Sequence, residues 1–331
     1  MFICRFYFLL LTVLLASPAT AWALDVDDYP VVQSFIARMI QLHGFTSEEL
    51  YDWFEHTEIR PKVLKSINQP KEAAPWYVYR QQFVTHPSAR RGAHFWRKHE
   101  KIFTRAEKEY GVDAAVIIAI LGVETQYGRS TGGHPTMAAL TTLMLDYPKR
   151  SAFFGKELEQ LLLLAKELDI SPLALKGSYA GAVGYPQFLP SSYRHYAVDY
   201  DEDGRKDLIH SVADTIGSVA NYFHIHGWKM AAPIVDEVQI ESPVHEWFTK
   251  LDIKPKLSIK HFTDYGIFPT RVNDSTLLAA LIKLQGQKAP IYRFGFHNFY
   301  VITRYNKSSN YAMAVYELSE LIKKARTTQE S

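Results

Sequence analysis

Glu124 is the residue of this 331-residue chain whose type and setting point most directly to chemistry. It falls in GVDAAVIIAILGVETQYGRSTGG, Gly111 to Gly133, at the end of the uncharged apolar run from Ala114 to Val123. Leu121, Ile120 and Ile117 precede it by three, four and seven residues, and Tyr127 follows by three, so on a helix these side chains share one face. A carboxyl held among such groups loses hydration in its charged form, which favours the protonated acid near neutral pH. That is the state a general acid needs. The competing reading is a structural carboxylate paired with an arginine, Arg150 being a candidate.

Three other stretches carry chemistry. Lys149 and Arg150 stand at the start of a long helical pattern, the wrong sign for a helix dipole, which suits side chains that serve an anionic group instead. An ordinary solvated charge pair is the alternative. Lys176 to Ser192, KGSYAGAVGYPQFLPSS, is rich in small residues but lacks the spacing of a phosphate loop. Its small residues allow close backbone approach to something bulky, and Gln187 offers a donor and an acceptor suited to sugar hydroxyl and acetamido groups. Tight helix packing would use the same glycines. In DYDEDGRKDLIHSVAD, Asp199, Asp201, Asp203, Gly204, Arg205 and Asp207 match positions one, three, five, six, seven and nine of an EF-hand loop, where oxygens surround a hard cation. His210 replaces the usual closing glutamate, so the choice lies between a structural Ca2+ site and a solvated acidic turn.

The elements that must position these groups are mostly helical. Gly111 ends one helix, Asp113 caps the next, and Val112 with Ile117 forms a staple across the cap; Gly128 lets the chain leave just after Glu124. Upstream, Val31 to His43 has helical spacing, Thr46 and Glu49 form a capping box, and His99 to Tyr110 is amphipathic. The basic cluster Arg90 to Lys101 reads as the solvated side of a helix with Phe95, Trp96 and Phe103 inward. Downstream, His134 to Asp146 and the stretch following YPKR are helical, and Val212 to Trp228 closes a helical core. His224 and His226 diverge on it, which argues against a shared metal. From Pro233 to Tyr300 the texture changes. IVDEVQIESPV and YRFGFHNFYVITRY alternate like strands, DSTLLAALIKL fits either helix or strand, and YAMAVYELSELIKKAR is a terminal amphipathic helix.

Composition sets limits. MFICRFYFLLLTVLLASPATAWA reads as a signal peptide cleaved after Ala23, with no stable membrane span left after cleavage. The sole cysteine, Cys4, lies within it, so the mature chain has no disulfide and no lipid-anchoring cysteine. A formal charge of +2, or +1 without Arg5, argues against nucleic acid. With 47% hydrophobic residues the chain can build its own core.

GVETQYGRSTG, LDYPKRSAFF, KGSYAGAVGYPQFLPSSYRHYAVD and SVANYFHIHGW closely resemble the membrane-bound lytic transglycosylase B family of bacterial cell-wall enzymes. The resemblance implies a mainly α fold: a lysozyme-like helical core at 96–230, an N-terminal helical unit at 24–95, a small β-containing unit at 231–297, and a return to the core at 298–331. It implies cleavage of the bond between N-acetylmuramic acid and N-acetylglucosamine, giving 1,6-anhydromuramyl ends with Glu124 as single acid/base. Tyr79, Lys149, Arg150, Ser178, Tyr185, Gln187, Asn298 and Tyr305 are the substrate-binding residues it implies. Lys149 stands where the family has arginine, and it lacks the bidentate fork. The family's longer calcium loop brings Asp214 to the set Asp199, Asp201, Asp203, Arg205 and Asp207. Peptidoglycan glycan strands are the expected partner, with other cell-wall enzymes as candidates. The expectation is a periplasmic monomer without organic cofactor. A muramidase using water and a non-catalytic peptidoglycan-binding scaffold are the alternatives.

Overall fold

The computed structural model describes residues 24–69 and 73–328, so the signal segment expected at 1–23 lies outside the described residues. Among the described residues no helix is long and apolar enough to cross a membrane. Two compact units divide the chain, Met1–Ile59 and Arg60–Ser331.

In the smaller unit, α1 (Pro30–His43) and α2 (Ser47–Glu55) bury Val32, Phe35, Ile36, Met39, Leu50 and Phe54. Pro30 opens α1 and Gly44, at φ 65°, closes it. The expected capping box forms: the Thr46 hydroxyl accepts from the Glu49 N–H at 3.1 Å, and the Glu49 carboxylate accepts from the Thr46 N–H at 2.9 Å.

The larger unit begins with α3 (Pro61–Ile67), α4 (Trp76–Phe83), α5 (His86–Lys98), α6 (Glu100–Tyr110) and α7 (Ala114–Thr125). Helices α8 (Thr136–Asp146), α9 (Ser151–Leu168), α10 (Pro190–Tyr196) and α11 (Val212–Ile225) follow, with a short antiparallel pair of β1 (His134–Pro135) and β2 (Lys176–Gly177). Five strands come next: β3 (Val235–Ile240), β4 (Leu257–Ser258), β5 (Ile267–Pro269), β6 (Leu278–Leu284) and β7 (Ile291–Gly295). They form an antiparallel sheet in the order β4-β6-β7-β3-β5, flanked by α12 (Glu246–Lys250) and α13 (Ile259–Thr263). The chain ends in α14 (His297–Tyr305) and α15 (Ser309–Thr327).

Helix α7 is the axis of this unit. Every residue from Ala114 to Val123 is buried, so the helix is apolar all round rather than on one stripe. Each of Ile117, Ile118, Ile120 and Leu121, at 0% exposure, contributes about 1.5–3 kcal/mol relative to a solvated side chain. As expected, Gly111 closes α6 at φ 71° and the Asp113 carboxylate accepts from the Ala115 N–H at 2.8 Å.

The structure departs from expectation at two places and decides a third that was open. The boundary between compact units falls at Ile59 rather than 95, because α3, α4 and α5 pack on α8, α15 and α7. Small residues make this possible: a Cβ on Gly92 of α5 would sit 2.8 Å from Ile322 of α15. The segment HNFYVITRY is helix α14, not strand. Its strand ends at Gly295, where a Cβ would meet the Phe299 ring at 2.8 Å, and Phe299, Val301 and Ile302 turn into the core. The ambiguous DSTLLAALIKL is strand β6. Its alternation is hidden because both faces are apolar: Ala280, Ile282 and Leu284 join the main core, while Ala279 and Leu281 join a second cluster with Phe248, Phe262 and Phe294.

One buried acid anchors the sheet. Asp236 on β3, 0% exposed, accepts from the Thr270 hydroxyl at 2.9 Å, the Arg271 N–H at 2.9 Å, the Val272 N–H at 2.8 Å and the Arg271 guanidinium at 3.1 Å. Burial alone pushes its carboxyl upward, but these donors outweigh it and leave it below the usual aspartate value.

Candidate active site

Glu124 lies in the last turn of α7 and is half-buried. Beyond Thr125, three successive residues adopt left-handed backbone, Gln126 at φ 52°, Tyr127 at φ 64° and Gly128 at φ 83°, so the chain reverses just past the acid. For the two non-glycines this conformation costs about 1–3 kcal/mol each. Thr125 secures the turn: its buried hydroxyl donates to the Tyr185 carbonyl at 2.9 Å and accepts from the Gly128 N–H at 3.0 Å.

This reversal moves Tyr127 off the face it was expected to share with Glu124. The phenol folds back over Gly122, where a Cβ would lie 2.7 Å from its oxygen, and donates to the Ser88 carbonyl at 2.9 Å. The aromatic group that meets the acid comes from α15 instead. Tyr311, 187 residues away in sequence, donates its hydroxyl to Glu124 Oε1 at 2.6 Å. Burial first, and then the Glu124 charge, push this phenol well above its ordinary value, so it stays protonated and donating. Tyr305 is stacked parallel to Tyr311 at 6.3 Å and is raised by burial and Glu124 in the same way. Its hydroxyl donates to the Pro186 carbonyl at 2.5 Å. Tyr79 is buried at 1% exposure and close enough to contribute to the Tyr311 shift.

The segment from Lys176 to Phe188 lies against the chain that follows Glu124, as a loop rather than packed helices. A Cβ on Gly128 would strike the Tyr185 ring at 1.8 Å, and one on Gly132 would meet the Gly177 carbonyl at 2.2 Å. Gln187, itself at φ 52°, donates its amide to the Thr131 and Gly184 carbonyls at 2.9 Å each. The Ser178 hydroxyl accepts from the Ala180 and Ala182 N–H groups at 3.2 and 3.1 Å. Tyr305 and Tyr79 thus gather with Glu124 around Tyr311, while Tyr185, Gln187 and Ser178 belong to the loop that packs on the turn after the acid.

Other expected residues lie elsewhere. Lys149 and Arg150 are exposed in a short turn before α9, and no hydrogen bond or ion pair links them to Glu124 among the described residues. The Arg150 guanidinium sits 3.9 Å from the Phe153 ring centre, so it is not the acid's structural partner. Asn298 does not join the site. It is 1% exposed, accepts from the Lys229 N–H at 2.9 Å, and donates to the Lys229 carbonyl at 2.7 Å. It lines a cavity with Asp113, the residue that begins α7, whereas Glu124 ends it, about 16 Å along the helix axis. A contrasting buried acid, Glu157, accepts from the Ser191 N–H and hydroxyl and simply holds the start of α10. His224 and His226 bond the Tyr110 and Tyr222 carbonyls separately.

Carboxylate oxygens of Asp199, Asp201 and Asp203 all lie within 4.8 Å of one another. Three like charges at that spacing repel unless a cation joins them. Backbone N–H groups engage much of the expected ligand set, beginning with Asp199, which accepts from Asp203 and Gly204 at 3.1 and 2.8 Å. Asp214, 0% exposed, accepts from Tyr200, Asp201 and Asp207 N–H groups at 2.6, 3.3 and 2.7 Å, and Asp207 accepts from Ile209 and His210. The Arg205 N–H is held by Asp203 at 2.9 Å.

Sequence reasoning missed Tyr311 and Thr125. A tyrosine on the inner face of an amphipathic helix is ordinarily core, and only the crossing of α15 over the end of α7 brings its hydroxyl to an acid.

Residues 27–320 match the family described as Transglycosylase SLT domain. The chain is 38% identical over 312 residues to the membrane-bound lytic murein transglycosylase B of Escherichia coli K12, covering 91% of this chain and 85% of that protein. Soluble lytic transglycosylase SltB1 from Pseudomonas aeruginosa superposes with a TM-score of 0.84 at 43% identity, covering 90% of this chain and 100% of that one. The Escherichia coli lytic transglycosylase Slt35 in complex with calcium gives 0.83 at 38%, covering 90% and 94%.

Proposed function

The chain belongs to the transglycosylase SLT domain family and is a peptidoglycan lytic transglycosylase, and from that premise we propose that Glu124 is its single acid/base. The observation that carries this reading is the carboxyl at the end of the apolar helix α7 with Oε1 held by the Tyr311 hydroxyl. One oxygen fixed by a donor sets the orientation of the other. Glycosidases that use water need two carboxylates across the scissile bond. Here the substrate supplies the nucleophile. Glu124 protonates the glycosidic oxygen between N-acetylmuramic acid and N-acetylglucosamine as the bond to C1 breaks. The resulting carboxylate then takes the proton of the muramyl C6 hydroxyl as that oxygen bonds to C1, closing a 1,6-anhydro ring. No water enters. An internal hydroxyl so placed has an effective molarity of about 10⁵ M or more, enough to outrun solvent. Tyr185, Gln187, Ser178 and Tyr305 form the floor and wall for the glycan with Tyr79 packed behind them, and Lys149 and Arg150 serve carboxylates more remote from the bond.

The loop at Asp199, Asp201 and Asp203 fits Ca2+: three hard oxygen donors converge, and Asp214 holds the backbone that presents them through the Tyr200 and Asp201 N–H groups. The Slt35 complex with calcium supports this reading. Bound there, Ca2+ would brace the turn leading into α11. The mature chain acts in the periplasm.

Mass spectrometry of muropeptides released from purified sacculi tests the mechanism. The wild type yields anhydromuramyl ends, one water lighter than reducing ends, and Glu124→Gln slows release by at least about 10²-fold. Reducing ends from the wild type, or full activity in the variant, would remove Glu124 from the single-acid role.

A further inference from the structure

A cavity of about 480 Å³ opens just past the end of α7, between that turn and α5. Pro87, Phe95 and Tyr127 give it an apolar floor, and Arg90, Arg91, His94 and Arg129 give it a basic rim. No aspartate or glutamate lines it, and α5 contains none over its whole length. None of the three arginines makes an ion pair among the described residues. Arg91 Nε is shielded from solvent without a hydrogen-bond partner. A merely solvated helix face explains neither the unpaired, shielded nitrogen nor the contribution of Arg129 from a different element. A bound anion explains both.

Building on the transglycosylase reading, we propose that this cavity binds a carboxylate of the peptide stem carried by the muramyl unit at the scissile bond. Its position suits that ligand. Gln126, which lines the cavity, is two residues from Glu124, so their Cα atoms are at most about 7.6 Å apart. A four-residue stem extends up to about 14 Å, enough to cross from the acid to the rim. The arginine forks match a carboxylate, and the floor accepts a small apolar side chain beside it.

The test compares two substrates: glycan strands bearing peptides and strands stripped of them by an amidase. Arg90→Gln/Arg129→Gln alters two exposed, unpaired side chains and is expected to keep the wild-type melting temperature. It lowers kcat/KM on peptide-bearing strands by about tenfold and matches the wild type on stripped strands. A variant equal to the wild type on both substrates, or equally impaired on both, overturns the site alone. Wild type that opens neither substrate overturns the underlying reading and the site with it. Unchanged turnover together with lost binding to phosphatidylglycerol vesicles assigns the cavity to lipid headgroups and also overturns it.

Discussion

Glu124 and Glu157 are both acids on buried helices of one chain, and their partners decide what each can do. Glu157 is occupied by the backbone N–H and hydroxyl of Ser191, which it caps. Glu124 instead meets a phenol whose own ionisation is suppressed by burial and by the acid's charge, so the contact persists across the working pH range. Tyr311→Phe keeps the ring and removes the donor. Its expected effect is a fall in kcat of about 10- to 100-fold with KM little changed, because a charged hydrogen bond contributes about 1.5–3 kcal/mol and this one acts on the acid rather than on the sugar. Steady-state kinetics on isolated glycan strands checks it; a rise in KM at constant kcat would place Tyr311 in binding instead.

Among the elements, α7 and β3 show how an apolar helix and a buried acid divide the labour of holding the larger unit. Helix α7 contributes mainly packing through Ala114 to Val123, whereas β3 depends on the charge of Asp236 to hold residues 270–272. Because the folded carboxyl is held below the usual aspartate value, its contribution is fully present above the unfolded pKa of about 3.9 and is lost as pH falls through the lower folded value. Asp236→Asn is therefore expected to lower stability at pH 7 by about 1–3 kcal/mol, and that gap to close below about pH 4. Urea unfolding of both proteins across pH 3–7 measures it. A gap that stays constant would mean that shape, not charge, is what β3 requires. Both elements also explain limits on sequence reading: period-2 alternation is invisible in β6 because a core lies on each face, and the helical period is invisible in α7 for the same reason.

For the whole molecule, calcium is the ligand expected to shift the folding equilibrium. Saturating Ca2+ at a hundredfold excess over Kd adds about 2.7 kcal/mol, read as a rise in Tm that a chelator reverses. Asp201→Ala should abolish that rise; a Tm insensitive to Ca2+ in the wild type would reduce the loop to a solvated turn. The linear order of residues determined much of this protein. The apolar run before Glu124, the caps at Asp113 and Thr46, the spacing of Asp199, Asp201 and Asp203 and the small residues of the Lys176–Phe188 loop are local patterns, governed by local geometry. Tertiary structure decided the rest. Tyr311 reaches Glu124 across 187 residues, Tyr127 leaves it through one left-handed turn, and Asn298 lies at the wrong end of α7. Asp214 gives its oxygens to three backbone N–H groups, and Arg129 joins the arginines of α5 around one cavity. Each of these depends on which elements cross, and crossings are set by the packing of the complete core, which no short stretch of sequence contains.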